Sequence, residues 1–516
     1  MIHRLPPKTV LGMALLLCLP FASLADSSHV PRPDTKPAEY RFSEGFSDEQ
    51  GTNNWYYKEW DGSSYTDMQW DATAGRWKGR RKSCQVWKGA AHSDTTDAVI
   101  AWKAPRDGDI TVQGVIERPS PKGDGTRARI LYNARQIWPS TPWQEVYPSF
   151  MAQHVFCTQV KTGEWIYFHL NRWGNVDDDS TLWDPTIRYD SPPRFVVDGA
   201  QRVMVEADLQ RMKINFMDAS LCALLRGSES RLIWFHSEDN GNQHQKFLGT
   251  LDAPAQDLVF KKAASELFTA NPSKADGTWW LTNIYRHTDG SLLGFIHVEN
   301  SGQNGRKFRL GLACSMNGGD NWVYLGHIIQ QYGDPDNHNI TGTPYLIKDG
   351  YCCVYYLDAA GPSVARAPIV EVLKAAKEHR LIRWHKYFEG AFTEPGWGGR
   401  SSSIGVENAC LHSDAAYSIT KKKYVLTGYN HGAGRGVWIA FSDDGIKWTT
   451  GDWIQHGRAD SPTLSPYVTI LAVDGTDNAS VEDSFYTYWA FTPNWDEKSG
   501  VGLQNVIRQK VTLLAP

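Results

Sequence analysis

The sequence predicts an all-β chain, a β-sandwich followed by a five-bladed β-propeller. Three observations predict it. First, two Ser-Asx-Gly-Trp turns recur, Ser315-Met316-Asn317-Gly318-Gly319-Asp320-Asn321-Trp322 and Ser442-Asp443-Asp444-Gly445-Ile446-Lys447-Trp448. The Asx side chain can bond its own backbone, Gly supplies the positive φ that a tight hairpin needs, and the Trp folds back as a buried ring. Second, strand–turn–strand units repeat along the C-terminal part, as in a blade repeated around an axis. Third, short alternating strands fill the N-terminal part with no amphipathic helix period.

The first 25 residues read as a signal peptide. Arg4 and Lys8 precede an apolar run, Val10 to Leu19, which ends in the small-x-small site Ser23-Leu24-Ala25. The run is too short to span a bilayer comfortably, and no lipid-anchor context surrounds Cys18. The sequence therefore predicts a secreted or periplasmic protein without a membrane anchor, beginning near Asp26. Residues 26–39, rich in Ser, Pro, Lys and Asp, read as a flexible leader.

From Tyr40 to Pro192 the expected strands are Ala98–Trp102, Ile110–Ile116, Arg127–Leu131 and Trp165–Leu170, separated by turn clusters such as Lys122-Gly123-Asp124-Gly125. This is the predicted sandwich, a carbohydrate-binding-like module. Ser191-Pro192-Pro193 is the predicted boundary, and a separable propeller is expected from 193 to 516. Its units are Leu232–Leu248; Trp280–Tyr285 with Leu292–Val298 across Asp289-Gly290; Pro344–Ile347 with Tyr351–Tyr356 across Asp349-Gly350; Ala415–Ser418 with Tyr424–Tyr429; and Phe485–Phe491. Units of about 60 residues favour five blades over six. One helix is expected, Ile369–Glu378, after Ala367-Pro368.

Composition narrows the function. The chain has 516 residues, with 53 Lys+Arg against 57 Asp+Glu and a net charge of −4. That gives no electrostatic case for nucleic acid. With 22 Trp and 22 Tyr, aromatic residues make up 12%, partly a β-protein habit and partly suited to stacking on sugar rings. Seven cysteines follow the signal segment: Cys84, Cys157, Cys222, Cys314, Cys352, Cys353 and Cys410. Their spacings match no zinc pattern. Most read as small buried apolar residues, and adjacent Cys352 and Cys353 should face opposite ways in a strand.

Candidate site residues are polar groups at the ends of inner strands. His297 and Glu299 share a face beyond Leu292–Ile296, as a proton-transfer pair would. Glu407 and His412-Ser413-Asp414 lie in the densest polar run before an inner strand, with His412 and Asp414 on one face. Glu238, Tyr429, His431 and Arg366 also end strands and would suit sugar hydroxyls or a uronate. The reading assigns Glu299, Asp414 and Glu407 to catalysis, with Asp414 as base and Glu299 as acid. His297, His412, Tyr429, His431, Arg366 and Glu238 are assigned to substrate binding. No cofactor is called for; a calcium ion could fill a propeller axis, but no residue pattern asks for one.

Two resemblances add to this. Asn53-Asn54-Trp55-Tyr56-Tyr57, Gly125–Asn133 with Gln136-Ile137-Trp138-Pro139, and Ile166-Tyr167-Phe168 through Trp183-Asp184-Pro185-Thr186-Ile187 resemble a jelly-roll accessory module found at the front of secreted bacterial polysaccharide-degrading proteins. The repeated units resemble the five-bladed fold of glycoside hydrolase family 43 and its relatives. That resemblance implies an Asp base in the first blade, a tuning Asp in the second and a Glu acid before Gly-Pro in the third. Here the third-blade motif reads Thr341-Gly342-Thr343-Pro344, without the Glu. The expected function is a secreted glycoside hydrolase acting on a polysaccharide. A lyase using His, Tyr and Arg on a uronate-containing glycan, or a non-catalytic glycan-binding propeller, remains open.

Overall fold

The computed structural model describes residues 39–148, 150–225, 231–238, 241–269, 277–302, 305–332, 340–406, 409–430, 436–457, 467–475, 479–492 and 504–514. The signal and leader segments, Glu407 and His431 lie outside the described residues.

The N-terminal strands form where alternation places them. Asp97–Lys103, Gly108–Glu117, Thr126–Tyr132 and Trp165–Arg172 each extend the expected strand by a residue or two. One seven-stranded sheet contains Trp55–Trp60, Asp97–Lys103, Trp165–Arg172 and Thr126–Tyr132 in that spatial order. A second sheet pairs Gly108–Glu117 with Met151–Val160. Trp55, Tyr57, Ile100 and Trp102 of the first sheet share one core with Ile110, Val112, Ile116 and Val155 of the second.

The repeated units form a propeller-like set of antiparallel sheets. The first blade runs through Cys222–Leu225, Leu232–Glu238, Gln243–Gly249 and Asp257–Ala263. The second centres on Thr278–Arg286, Leu292–Gly302, Gly305–Ser315 and Trp322–Ile329. The third contains Tyr345–Lys348, Tyr351–Asp358, Gly361–Pro368, His385–Phe388 and Ala391–Pro395. The fourth contains Ala415–Ser418, Lys423–Asn430, Val437–Ser442 and Asp452–Gln455.

Among the described residues, four separate blades stand where the sequence predicts five. The remaining strands, Thr469–Ala472, Ser484–Phe491 and Asn505–Leu513, do not close a sheet of their own. Asn505–Leu513 pairs with Phe195–Val197, which pairs in turn with Met151–Val160, giving one sheet of 14 strands. The sequence expects a boundary at Ser191-Pro192-Pro193, but the strand that follows it joins the two halves. Phe485, Trp489, Val511 and Leu513 belong to the same core as Trp102 and Phe156. The described chain is thus one compact unit.

The expected helix is Ile369–Lys377. Pro368 precedes it, and Ile369, Val372, Leu373 and Ala376 repeat at helical spacing to bury one face. Cys352 and Cys353 enter two different cores, as strand alternation requires. All seven described cysteines are free thiols; only Cys157 is exposed.

Both Asx turns lock their blade onto the blade before it. Ser315 Oγ accepts the Gly319 amide at 3.0 Å, and Asn317 Oδ1 accepts the Asn321 amide at 3.1 Å. Lys246 of the first blade reaches this turn through Gly318 O (2.9 Å) and Asp320 Oδ1 (2.6 Å). In the second turn Asp444 Oδ1 accepts the Ile446 and Lys447 amides, both at 2.8 Å. Tyr355 of the third blade donates to Gly445 O at 2.8 Å. Trp322 is fully buried, edge-on to Phe235 of the first blade. Trp322→Ala should therefore lower stability by about 3–5 kcal/mol in chemical denaturation. Any loss of activity should track the unfolded fraction.

Candidate functional site

Alternation in the second blade places the first two site residues. Trp280 pairs with His297 and Thr278 with Glu299, so all four side chains share one face. His297 Nε2 lies 3.1 Å from Glu299 Oε1. His297 is nearly buried, whereas 23% of the Glu299 side chain remains exposed. A carboxylate anchored by a buried imidazole thus keeps one edge open to solvent.

Asp218 completes the cluster. It lies just before the short first-blade strand Cys222–Leu225, and its Oδ2 accepts the Trp280 indole N–H at 2.8 Å. Its Oδ1 accepts the Tyr467 hydroxyl at 3.2 Å. Burial pushes the Asp218 carboxyl up to about 6. The two hydrogen bonds and the His297 imidazole oppose that shift, while the charge of Glu299 adds to it. Burial also drives the Tyr467 phenol well above its usual range, so it remains a donor. Tyr467 adopts a left-handed backbone, φ 48°, unusual for a residue with a large side chain.

His412 adds a second imidazole, edge-to-face with His297 at 4.7 Å and 5.7 Å from the Tyr467 ring. Tyr429 is buried behind Tyr467, with ring centroids 6.4 Å apart. Of the residues singled out from sequence, His297, Glu299, His412 and Tyr429 therefore come together.

The others do different work. Asp414, expected as the base, is bound into the fold through both carboxylate oxygens. Its Oδ1 accepts Asn283 Nδ2 (3.1 Å) and the Ala415 amide (2.9 Å), and its Oδ2 accepts the Ile470 amide (3.1 Å). Thr343 Oγ1 donates to Asn283 Oδ1 at 2.6 Å, and Thr469 Oγ1 donates to Leu221 O at 2.5 Å. This network joins all four blades and the C-terminal strands.

Glu238, expected to bind substrate, is wholly buried. It accepts the amides of Asn215 (2.5 Å) and Phe216 (3.2 Å), Gln245 Nε2 (2.6 Å) and Lys261 Nζ. His236 Nε2 meets Phe216 O at 3.2 Å. These contacts hold the segment that leads into Asp218. Arg366, on the third strand of its blade, stacks between Tyr351 and Phe392 at 4.0 Å from each ring. It does not join the cluster.

Asp218, Trp280 and Tyr467 were not anticipated from sequence. The sequence places the first unit at Leu232, one strand too late, because Cys222–Leu225 is too short to show alternation. The pair Asp218-Ala219 before that strand parallels Asp414-Ala415 before the fourth-blade strand; that repeat was the usable signal. Among the described residues, no group of three or more His, Cys, Asp or Glu is placed to hold a metal ion.

No family model and no curated protein matches the chain. Among solved structures it is similar to the catalytic domain of a Coprinopsis cinerea GH62 α-L-arabinofuranosidase, with 11% identity, 61% of this chain and 96% of that one covered, and a TM-score of 0.38. It is similar to a family 117 glycoside hydrolase of the marine bacterium Zobellia galactanivorans, with 11% identity, 61% and 89% covered, and a TM-score of 0.37. A substituted α-L-arabinanase of Cellvibrio cellulosa shows 12% identity, 59% and 91% coverage, and a TM-score of 0.35.

Proposed function

We propose that this protein is a glycoside hydrolase that cleaves a polysaccharide at the Asp218–Glu299 cluster. One observation carries the reading: two carboxyl groups meet in one cluster in unlike surroundings. Asp218 is partly buried between the Trp280 indole and the Tyr467 hydroxyl, and desolvation pushes it up to about 6, whereas Glu299, with 23% of its side chain exposed, is held by His297. Such a pair divides the labour of glycosidic cleavage. Asp218 is the acid that protonates the leaving oxygen. Glu299, ionised, activates water or attacks the anomeric carbon, according to the distance between the two groups once substrate is bound. His412 and Tyr467 supply hydrogen bonds to sugar hydroxyls.

The N-terminal pair of sheets is read as the jelly-roll accessory module that its motifs resemble. The charged start, apolar run and Ser23-Leu24-Ala25 site support export to the periplasm or the medium.

His297 and His412 in mutual contact, with Tyr467 beside them, favour a second reading, a lyase that removes a proton next to a uronate. Arg366, one candidate to neutralise that uronate, is stacked elsewhere. A panel of plant, algal and bacterial polysaccharides separates the two. New reducing ends without ultraviolet-absorbing products support the hydrolase; absorbing unsaturated ends would establish the lyase in its place.

A further inference from the structure

The outer face of the seven-stranded sheet is built differently from its inner face. Register places Tyr56, Ala101, Tyr167 and Leu131 side by side in one row. The next row is Lys58, Val99, His169 and Arg129, and Lys103 pairs with Trp165. Val99 and Ala101 are small and form the floor, surrounded by the half-buried rings of Tyr56, Trp60, Tyr65 and Trp165. Tyr65 stacks on Tyr167 at 4.3 Å, and Trp165 on Tyr167 at 5.6 Å, so three rings stand in nearly parallel planes.

Cations frame the rings. Lys58 and Lys103 each lie 5.3 Å from the Trp165 ring, and Arg129 lies 4.1 Å from Trp143. Lys58 is paired with Asp67. The Arg129 side chain has an ion pair within the protein and stays 24% exposed. Its Nε is buried and has no hydrogen-bond partner among the described residues. Its nearest carboxylate, Asp97, lies 3.7 Å from Nη2, beyond hydrogen-bond range. Asp97 instead accepts from Asn171 Nδ2 at 2.5 Å and lies 3.0 Å from His169 Nδ1. The face thus offers stacking surfaces edged by a partly exposed guanidinium and two ammonium groups.

We propose that this face is a second binding site, remote in kind from the reaction assigned above, and that it takes a uronate-containing polysaccharide. Pyranose C–H faces would lie on the Tyr and Trp rings. The planar carboxylate of a uronate matches the fork of a guanidinium already flattened against Trp143. The chain's net charge of −4 opposes a longer-range attraction for nucleic acid, so local fit rather than overall charge selects the ligand.

The test is affinity electrophoresis of the full chain carrying Glu299→Gln, so that turnover plays no part in the result. Gels would contain polygalacturonate, neutral dextran or dextran sulfate. Polygalacturonate should retard the protein. Lys103→Ala and Arg129→Lys should each weaken that retardation about tenfold, with unchanged thermal unfolding. Neutral dextran should have no effect, and dextran sulfate a weaker one. Absence of retardation would overturn the proposal, as would equal retardation by dextran or dextran sulfate. Undiminished binding in both folded variants would place any uronate site elsewhere and overturn it equally.

Discussion

A chain beginning at residue 195 should fail to fold, accumulating as insoluble protein, although Ser191-Pro192-Pro193 looks like a linker. The strand Phe195–Val197 would lose its partner Met151–Val160 while keeping Asn505–Leu513 on its other side. That leaves an open edge and an uncovered apolar layer. Phe150 stacks on Trp489 at 6.5 Å and meets Phe491 edge-on at 5.0 Å. Gln153 Nε2 donates to Trp453 O at 3.0 Å, and Gln455 Nε2 to Met151 O at 2.5 Å. Removing residues 39–194 strips all of these contacts at once. Soluble, monomeric, cooperatively unfolding 195–516 would show that the shared sheet is dispensable.

Glu299→Gln should abolish turnover with the fold intact, lowering the rate by about two to four orders of magnitude. The amide is nearly isosteric and can still meet His297, but it cannot be ionised. The partly exposed position makes a large stability cost unexpected. Asp414→Asn should behave in the opposite way. One of its oxygens becomes an N–H₂ group facing either the Asn283 amide or backbone N–H donors, so stability should fall by about 1–3 kcal/mol. Its residual activity should follow the folded fraction.

Much of this was legible in the chain. Strands with clear alternation and Asp-Gly turns, such as Leu292–Gly302 and Tyr351–Asp358, lie where period and turn chemistry place them, because both signals are local. The merging of the last strands with the sandwich was not legible. It depends on pairing Phe195 with Leu513, two residues at opposite ends of the propeller segment, and no local pattern encodes a partner that distant.

The site divides in the same way. His297 and Glu299 were legible from alternation at one strand end. Asp218 and Asp414 share the same local signature, Asp-Ala before an inner strand, yet one opens onto the cluster and the other ties blades together. The difference lies in what packs opposite them: Trp280 and Tyr467 for Asp218, Asn283 and a backbone amide for Asp414. Arg366 ends a strand as an inner-strand residue would, but it lies on the third strand of its blade, and strand order within a blade is not written in a single strand.

The most direct test of the central claim is the stability and turnover of Asp218→Asn measured together at pH 4 and pH 7.5. The folded carboxyl is raised to about 6 from 3.8. Its contribution to stability is therefore fully present below the unfolded value and is lost as pH rises through about 6. Asparagine stays neutral throughout and can still accept from the Trp280 indole, while the Tyr467 hydroxyl can turn to accept from the new amide. The variant should match the parent at pH 4 and exceed it at pH 7.5 by on the order of 2–3 kcal/mol. It should be inactive at both. In the parent, the rate should fall as pH rises above about 6, because the acid loses its proton. A variant that keeps its turnover, or that is destabilised equally at both pH values, would contradict Asp218 as the protonated acid of this site.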